Sequence, residues 1–465
     1  MNALGAATGG AKRAALGALL ALLPAFLCLL PGGPLSSDPF PADSGAGLVV
    51  LASLPALAFA LFLPAARVAW SPAFLAALLV AALNLARGDS VDPAAAQRAW
   101  LAWLALACAL WIGARIAPRK DALLLGLAAL SLFATAPALL GRDSAFAGVL
   151  GNAASTSEAA LCGALAGAAL WALRDRPGAS TWLGLVAYLA LLVHALLAPV
   201  LSTAVASLVA LSLLALFARG KARWRAALLA LAALVALAAA FALRQGPAPG
   251  SESTARAANQ DVFALGPAAG VPVRLQVARA GFDLLADDPW AGVGTGQWMA
   301  RFPAVRDLEE IERSTQGRRL AEDTEVEHPH DDWLLPLFEG GCLGGLPWLA
   351  FLAAGAWCAL RGMRSVTTDA SSIDTAACAT AFLAIAAEGA ARSPWFHNPG
   401  AAAPSFLVLG ALLSVPAASR PLQARAMPAL LLVLALAAAP GALGFVRQGA
   451  ALSGIARAGV EPDEA

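Results

Sequence analysis

Two histidines separated by one proline, His328-Pro329-His330, stand directly before Asp331, Asp332 and Trp333 at the head of a long apolar run. Histidine has the pKa to accept a proton near neutrality. A carboxylate beside it either orients the imidazole or caps the helix that begins there, so Asp331 and Asp332 each have one of two tasks. Zinc is the other use of paired histidines, but it needs further ligands and none stands nearby in the sequence. A second constellation, RLQVARAGFDLLADDPWAGVGTG, runs from Arg274 to Gly296. Leu275, Ala278, Phe282 and Leu285 recur at helical spacing, which predicts an amphipathic helix over 273–286 on the membrane surface or against a helical bundle. Asp287-Asp288-Pro289 ends it. Gly292, Gly294 and Gly296 then permit tight turns and a close backbone approach to a ligand, or simply turn the chain back to the membrane. Without a preceding strand they are no dinucleotide-binding fingerprint. A third group, Asn152, Ser155, Thr156, Ser157 and Glu158, opens another apolar run. Polar side chains near hydrocarbon are costly and face a bundle interior. Capping explains the hydroxyls, whereas Glu158 has no obvious local partner. In a fourth group, Glu388 and Arg392 are four residues apart, the spacing of a simple ion pair on one helix face, beside His397.

What must position these residues is a membrane bundle. Of 465 residues, 60% are hydrophobic and 13% charged, the latter about half the ~25% of an ordinary soluble domain. Mean hydropathy is +0.71. No soluble core hides that much apolar surface, so soluble, coiled-coil, collagenous and disordered classes are excluded. A net charge of +1 gives no reason to expect nucleic acid. Spans are predicted near 14–31, 46–64, 70–86, 99–117, 122–140, 154–173, 180–198, 201–218, 225–243, 335–360, 374–391, 402–417 and 427–445. The expected fold is an all-α integral membrane protein of about 12–13 helices. It divides into an N-terminal bundle (1–243), a loop (244–332), a C-terminal bundle (333–445) and a polar tail (446–465). Basic residues concentrate in alternate loops, including Lys12/Arg13, Arg115/Arg119/Lys120 and Arg219/Lys221/Arg223/Arg225. That bias puts the N-terminus in the cytoplasm and the long loop outside it. All four histidines, His194, His328, His330 and His397, then fall on the outer side. The loop begins with a flexible stretch, 246–256, and contains a charge-dense segment, 304–327, read as a surface helix or lid. The six cysteines, Cys28, Cys108, Cys162, Cys342, Cys358 and Cys378, form no CxxC and no cluster with histidine. They read as small core residues rather than as disulfides or zinc ligands. No internal repeat supports transporter-style symmetry.

In this order the segments resemble the O-antigen ligase and O-antigen polymerase superfamily of bacterial envelope proteins. The resemblance rests on Gly151-Asn152, on Arg274 with Asp287/Asp288-Pro289 and Gly292-Val293-Gly294, and on His328-Pro329-His330-Asp331 with Leu334, Glu339, Gly341 and Gly344-Gly345. It covers roughly 148–410, and the stretch from His328 to Gly345 is its most specific part. Two positions depart from the family pattern. Asp331 stands where the family has asparagine, and Leu201-Ser202-Thr203-Ala204 stands where it has a Ser-Arg pair. Arg142, Arg279 and Arg392 are the candidates to replace that arginine; the alternatives are a divergent substrate or lost activity.

The resemblance implies a GT-C-like bundle in the bacterial inner membrane, with its active side in the periplasm. It implies a glycosyltransferase whose donor is a glycan on a polyprenyl diphosphate. The acceptor is a hydroxyl on lipid A-core, on another glycan or on protein. Arginine neutralises the departing diphosphate through its planar, permanently charged fork, and no metal or cofactor is implied. The implied catalytic set is Arg274 as phosphate clamp, His330 as base or stabiliser, and Glu339, whose task is to orient the segment. The implied substrate-binding set is Arg279, Asn152, Glu158, His328, Asp331, Gly294 and Arg392. Ligase, polymerase and protein-glycosylation activities remain open at this point. So do a lipid-linked glycan transporter, which would carry its polar residues at the bilayer midplane, and a non-catalytic envelope protein.

Overall fold

The computed structural model describes residues 41–63, 66–88, 90–117, 120–140, 153–198, 200–245, 267–308, 329–416 and 421–458, with Ile311 and a few isolated positions between 16 and 27. Asn152, Arg142, His328, the 246–256 stretch and most of the first span and of segment 304–327 lie outside the described residues.

The chain is a helical bundle. Helix α1 is Pro41–Ala60, α2 Ser71–Arg87, α3 Pro93–Ile116, α4 Lys120–Leu139, α5 Ala153–Leu173, α6 Ala179–Leu197, α7 Leu201–Phe217 and α8 Gly220–Gln245. After the loop come α9, Pro267–Asp287, the single turn α10, Trp298–Arg301, and then α11 Leu335–Arg364, α12 Ala370–Gly389, α13 Pro399–Leu412 and α14 Pro421–Ala458. Eight of these helices are long and apolar enough to cross a membrane, and four shorter apolar helices accompany them. Helices suit this sequence because a backbone in hydrocarbon must satisfy its own hydrogen bonds. The described exception is a three-residue ladder, Ala66–Val68 against Ser414–Pro416, antiparallel, which ties the chain before α2 to the chain after α13.

Burial sorts the helices into centre and rim. The apolar window of α5 is 94% buried and that of α14 only 17%, so α5 is a core helix and α14 presents its side chains to lipid. Alanine and glycine let the central helices approach closely. Where α3 meets α13, a side chain added at Gly410 would start 2.0 Å from the Leu110 carbonyl oxygen. Aromatic rings fill the space that remains at the centre. Phe74, Trp103, Trp348, Phe351 and Phe406 form a chain of tilted, edge and stacked contacts with ring centroids 5.1–6.5 Å apart.

Helix α9 carries two apolar stripes. Of the one read from the sequence, Leu275 is 66% and Phe282 48% exposed, while Leu285 packs against the bundle. The buried stripe is Val273, Val277, Ala280 and Leu284, packed with Trp298, Phe302, Leu335 and Phe338. Both stripes have helical spacing. Phe338 lies over Gly281 on the more buried face, where an added Cβ would sit 2.7 Å from its ring. The helix does end at Asp287 as expected.

Candidate active site

Antiparallel packing brings seven chain segments together at one end of the bundle. They are the start of α5, the end of α6, the start of α7, the first half of α9, the chain 329–334, the end of α12 and the loop 390–398.

Glu158, in the second turn of α5, is buried and has its partners across the bundle. Arg392 Nε lies 2.7 Å from Glu158 Oε1, with side chains 21% and 5% exposed. Asn398 Nδ2 donates to Glu158 Oε2 at 2.9 Å and to the Ser155 carbonyl at 2.8 Å. Asn398 occupies the N-cap of α13 without capping it, so its amide is released for this cross-link. Neighbouring contacts extend the network. Ser202 Oγ donates to Glu388 Oε1 at 2.7 Å, with Thr203 Oγ1 at 3.5 Å from the same oxygen. Ser157 Oγ and His194 Nδ1 are 2.9 Å apart. Ser202-Thr203, where a Ser-Arg pair was expected, therefore faces Glu388, one helical turn from Arg392. Of the three candidate replacements, Arg392 is in the cluster, Arg279 points outward from α9, and Arg142 lies outside the described residues. Glu388 and Arg392 are thus part of a larger network than the isolated helix pair their spacing suggests.

His330 is held in a left-handed backbone conformation, φ 52°. For a residue other than glycine such geometry costs on the order of 1–3 kcal/mol, and it persists where the surroundings over-determine it. The two aspartates that follow it do so. Asp331 Oδ1 accepts from the Trp333 and Leu334 N–H groups at 2.9 and 3.1 Å. Asp332 is fully buried, and its Oδ2 accepts from the Trp395 N–H. Its own N–H donates to the Gly389 carbonyl, and its carbonyl accepts from Trp348 Nε1, both at 2.9 Å. Asp331 thus closes the turn that leads into α11, and Asp332 pins the segment to the end of α12.

Burial, then the positive charges of Arg392 and Arg274, then His397, hold the His330 pKa well below its ordinary value. His330 is consequently a neutral imidazole at pH 7. Burial alone takes His397 down to about 4. Asp331 is pushed up to about 6 by burial, against the two N–H groups it accepts from. Asp332 is pushed well above the carboxylate range by burial, with Glu158 and Asp331 nearby adding to the effect. Ser393 Oγ, Trp395 Nε1, Asp332 Oδ1 and Glu388 Oε2 are buried at this end without a hydrogen bond. Such atoms are rare in folded proteins and mark places where water or a ligand completes the bonding.

Glu339 and the glycine turn form a separate joint. Helix α11 breaks at Gly341, φ 58° and ψ −162°, a backbone region essentially closed to other residues. The break frees the Phe338 and Glu339 carbonyls, which accept from the Val293 and Gly294 N–H groups at 3.0 and 2.9 Å. Asn84 Nδ2 donates to the Glu339 and Ala291 carbonyls. Glu339 Oε1 is 3.4 Å from the Trp298 N–H. The close approach anticipated for the glycines is therefore made to the chain's own backbone, since a Cβ on Gly292 would sit 2.4 Å from the Phe338 carbonyl oxygen. Gly341→Ala would put a Cβ 2.3 Å from the Trp290 carbonyl. It is expected to cost at least the ~1–3 kcal/mol of a strained backbone, read as a lowered thermal midpoint of the purified protein. An unchanged midpoint would show that the kink is not required.

The structure thus gathers Arg274, His330, Asp331, Glu158 and Arg392, places Glu339 and Gly294 in the adjoining joint, and leaves Arg279 outside. Sequence reasoning missed Asn398 and the Ser157–His194 contact. A buried asparagine before proline at a helix start was the one signal available for the first.

A family model described as O-antigen ligase matches residues 187–349. That interval includes Arg274, His330, Asp331 and Glu339, whereas Glu158, Glu388 and Arg392 lie outside it. No curated protein matches the chain.

Proposed function

We propose that this chain, which an O-antigen ligase family model matches over residues 187–349, transfers a glycan from a polyprenyl diphosphate to a hydroxyl acceptor at the extracytoplasmic face of a bacterial inner membrane. The observation that carries the reading is the gathering of two arginines, Arg274 and Arg392, near a backbone-strained His330.

The reaction breaks the bond between sugar C1 and the diphosphate oxygen and forms one between C1 and the acceptor oxygen. The bonding electrons leave with the polyprenyl diphosphate, and the acceptor proton goes to His330. Arg274 and Arg392 neutralise the charge that develops on the leaving group, the role for which a guanidinium fork is suited. Glu158 and Asn398 hold Arg392 in place. A bound diphosphate also offsets the two positive charges that depress His330, so binding the donor raises the basicity of the group that must accept the proton. Glu158, Ser202, Glu388, His330 and Arg392 lie at helix ends and in connecting loops, which favours a transferase over a transporter. Ligase, polymerase and protein-glycosylation versions share this chemistry and differ only in acceptor.

The test is deletion of the gene in its host, with profiling of surface glycan and of membrane-bound lipid-linked glycan. Accumulation of the lipid-linked form with loss of mature glycan, reversed by the wild-type gene, supports the transferase. Single units still attached would identify a polymerase, and unchanged profiles would refute the reading. A pH profile follows from His330. Loss of its neutral form should give kcat/KM an acid limb below about 6.5, the ordinary imidazole value. The limb of kcat should lie higher, because the bound diphosphate raises the pKa. Identical limbs for the two parameters would contradict the coupling.

A further inference from the structure

A groove opens beside the glycine turn, between the ends of α2 and α9 and the turn α10. Its volume is about 350 Å³, within the roughly 300–1,000 Å³ of small-ligand sites. Arg87, Arg301, Asp287, Asp288, Asn84 and Gln297 line it. The two amides fix its walls: Asn84 holds the Ala291 and Glu339 carbonyls, and Gln297 exchanges hydrogen bonds with the Asp92 backbone at 2.8 and 2.9 Å. Asp288 Oδ1 accepts from the Ala291 N–H. Arg301 and Asp287 have exposed side chains in its lining, and Leu284 and Val293 add apolar surface.

Among the described residues of the groove, two guanidinium groups, Arg87 and Arg301, stand with two carboxylates, Asp287 and Asp288. An anion entering the groove would meet Asp287 and Asp288. A neutral molecule rich in hydroxyls would instead find acceptors in the carboxylates and donors in the guanidinium groups, with Leu284 and Val293 against its C–H face. Helix α9 joins the groove to the site around His330. Arg274 and Asp287 lie on one continuous helix, about 20 Å apart at 1.5 Å per residue.

We propose that the groove is a glycan subsite, holding neutral sugar units of a substrate whose reacting end lies at Arg274 and His330. The inference rests on the transferase reading for the identity of that reacting end, and on the groove's own chemistry for the sugar. The sugar could belong to the donor chain or to the acceptor, and two probes distinguish them. One is the host's surface polysaccharide released from its lipid by mild acid. The other is the deacylated acceptor oligosaccharide isolated from the deletion strain. Titration calorimetry on the purified full-length protein should detect binding of at least one. Asp287→Ala and Arg301→Ala should each weaken it at least tenfold, with the thermal midpoint unchanged because both side chains are exposed. Arg274→Ala should leave sugar binding intact and abolish binding of inorganic pyrophosphate. The proposal fails if the wild type binds neither sugar, if only Arg274→Ala weakens sugar binding, or if Arg301→Ala removes pyrophosphate binding. Groove-dependent sugar binding in a protein whose deletion leaves host glycans unchanged would keep the subsite and discard the transferase.

Discussion

Arg274→Ala and Arg392→Ala are each expected to lower glycan transfer by on the order of 10²–10³-fold, the usual consequence of removing one preorganised group from a developing anion. His330→Ala should cost roughly 10²–10⁴-fold, the range for a lost general base. The measurement is complementation of the deletion strain, followed by initial rates in its membranes, which supply the accumulated donor. Lysine at position 274 or 392 should restore only part of the rate. It returns the charge but not the planar fork that grips two phosphate oxygens at once. Full activity in both alanine variants would sink the assignment of the site. Full rescue by lysine would reduce the arginines to sources of positive potential.

Glu158→Ala is expected to destabilise the protein by about 3–5 kcal/mol, because breaking a buried ion pair leaves an uncompensated charge. Glu158 is nearly fully buried against Arg392, and the Asn398 amide loses its acceptor as well. A lowered thermal midpoint in detergent reads the effect. The double variant Glu158→Leu with Arg392→Met separates the two roles of the pair. Replacing both ions by apolar groups of similar size is often close to neutral for stability, so the midpoint should recover while transfer stays as low as in Arg392→Ala. If transfer recovers together with the midpoint, Arg392 serves the fold alone, and Arg274 is left to neutralise the diphosphate.

Composition alone determined that the chain is a helical membrane protein, because 60% hydrophobic residues in runs of about 20 have no other solvent-compatible arrangement. The runs were legible for the same reason, their limits less so; the run read as 201–218 is helix Leu201–Phe217, but that read as 427–445 lies within the longer helix Pro421–Ala458. Local spacing also marked His330 and Arg274, since histidine and arginine beside apolar runs are costly enough to stand out. What the sequence did not contain was which of these groups meet. Glu158 and Arg392 are separated by more than two hundred residues, and only antiparallel packing of α5, α12 and α13 puts them 2.7 Å apart. The more buried face of α9 was equally hidden, because both of its stripes have helical spacing and only the fold sets one against Phe338 and Trp298. The glycine turn shows the same division. Its residues announced a close backbone approach, but a φ value carries no name for the partner. The kink at Gly341, which frees the Phe338 and Glu339 carbonyls, made that partner the chain itself. Periodicity and residue cost act within a few helical turns and can be read along the chain. Partner choice is set by the shape and charge of surfaces far apart in sequence, and only the folded structure brings those together.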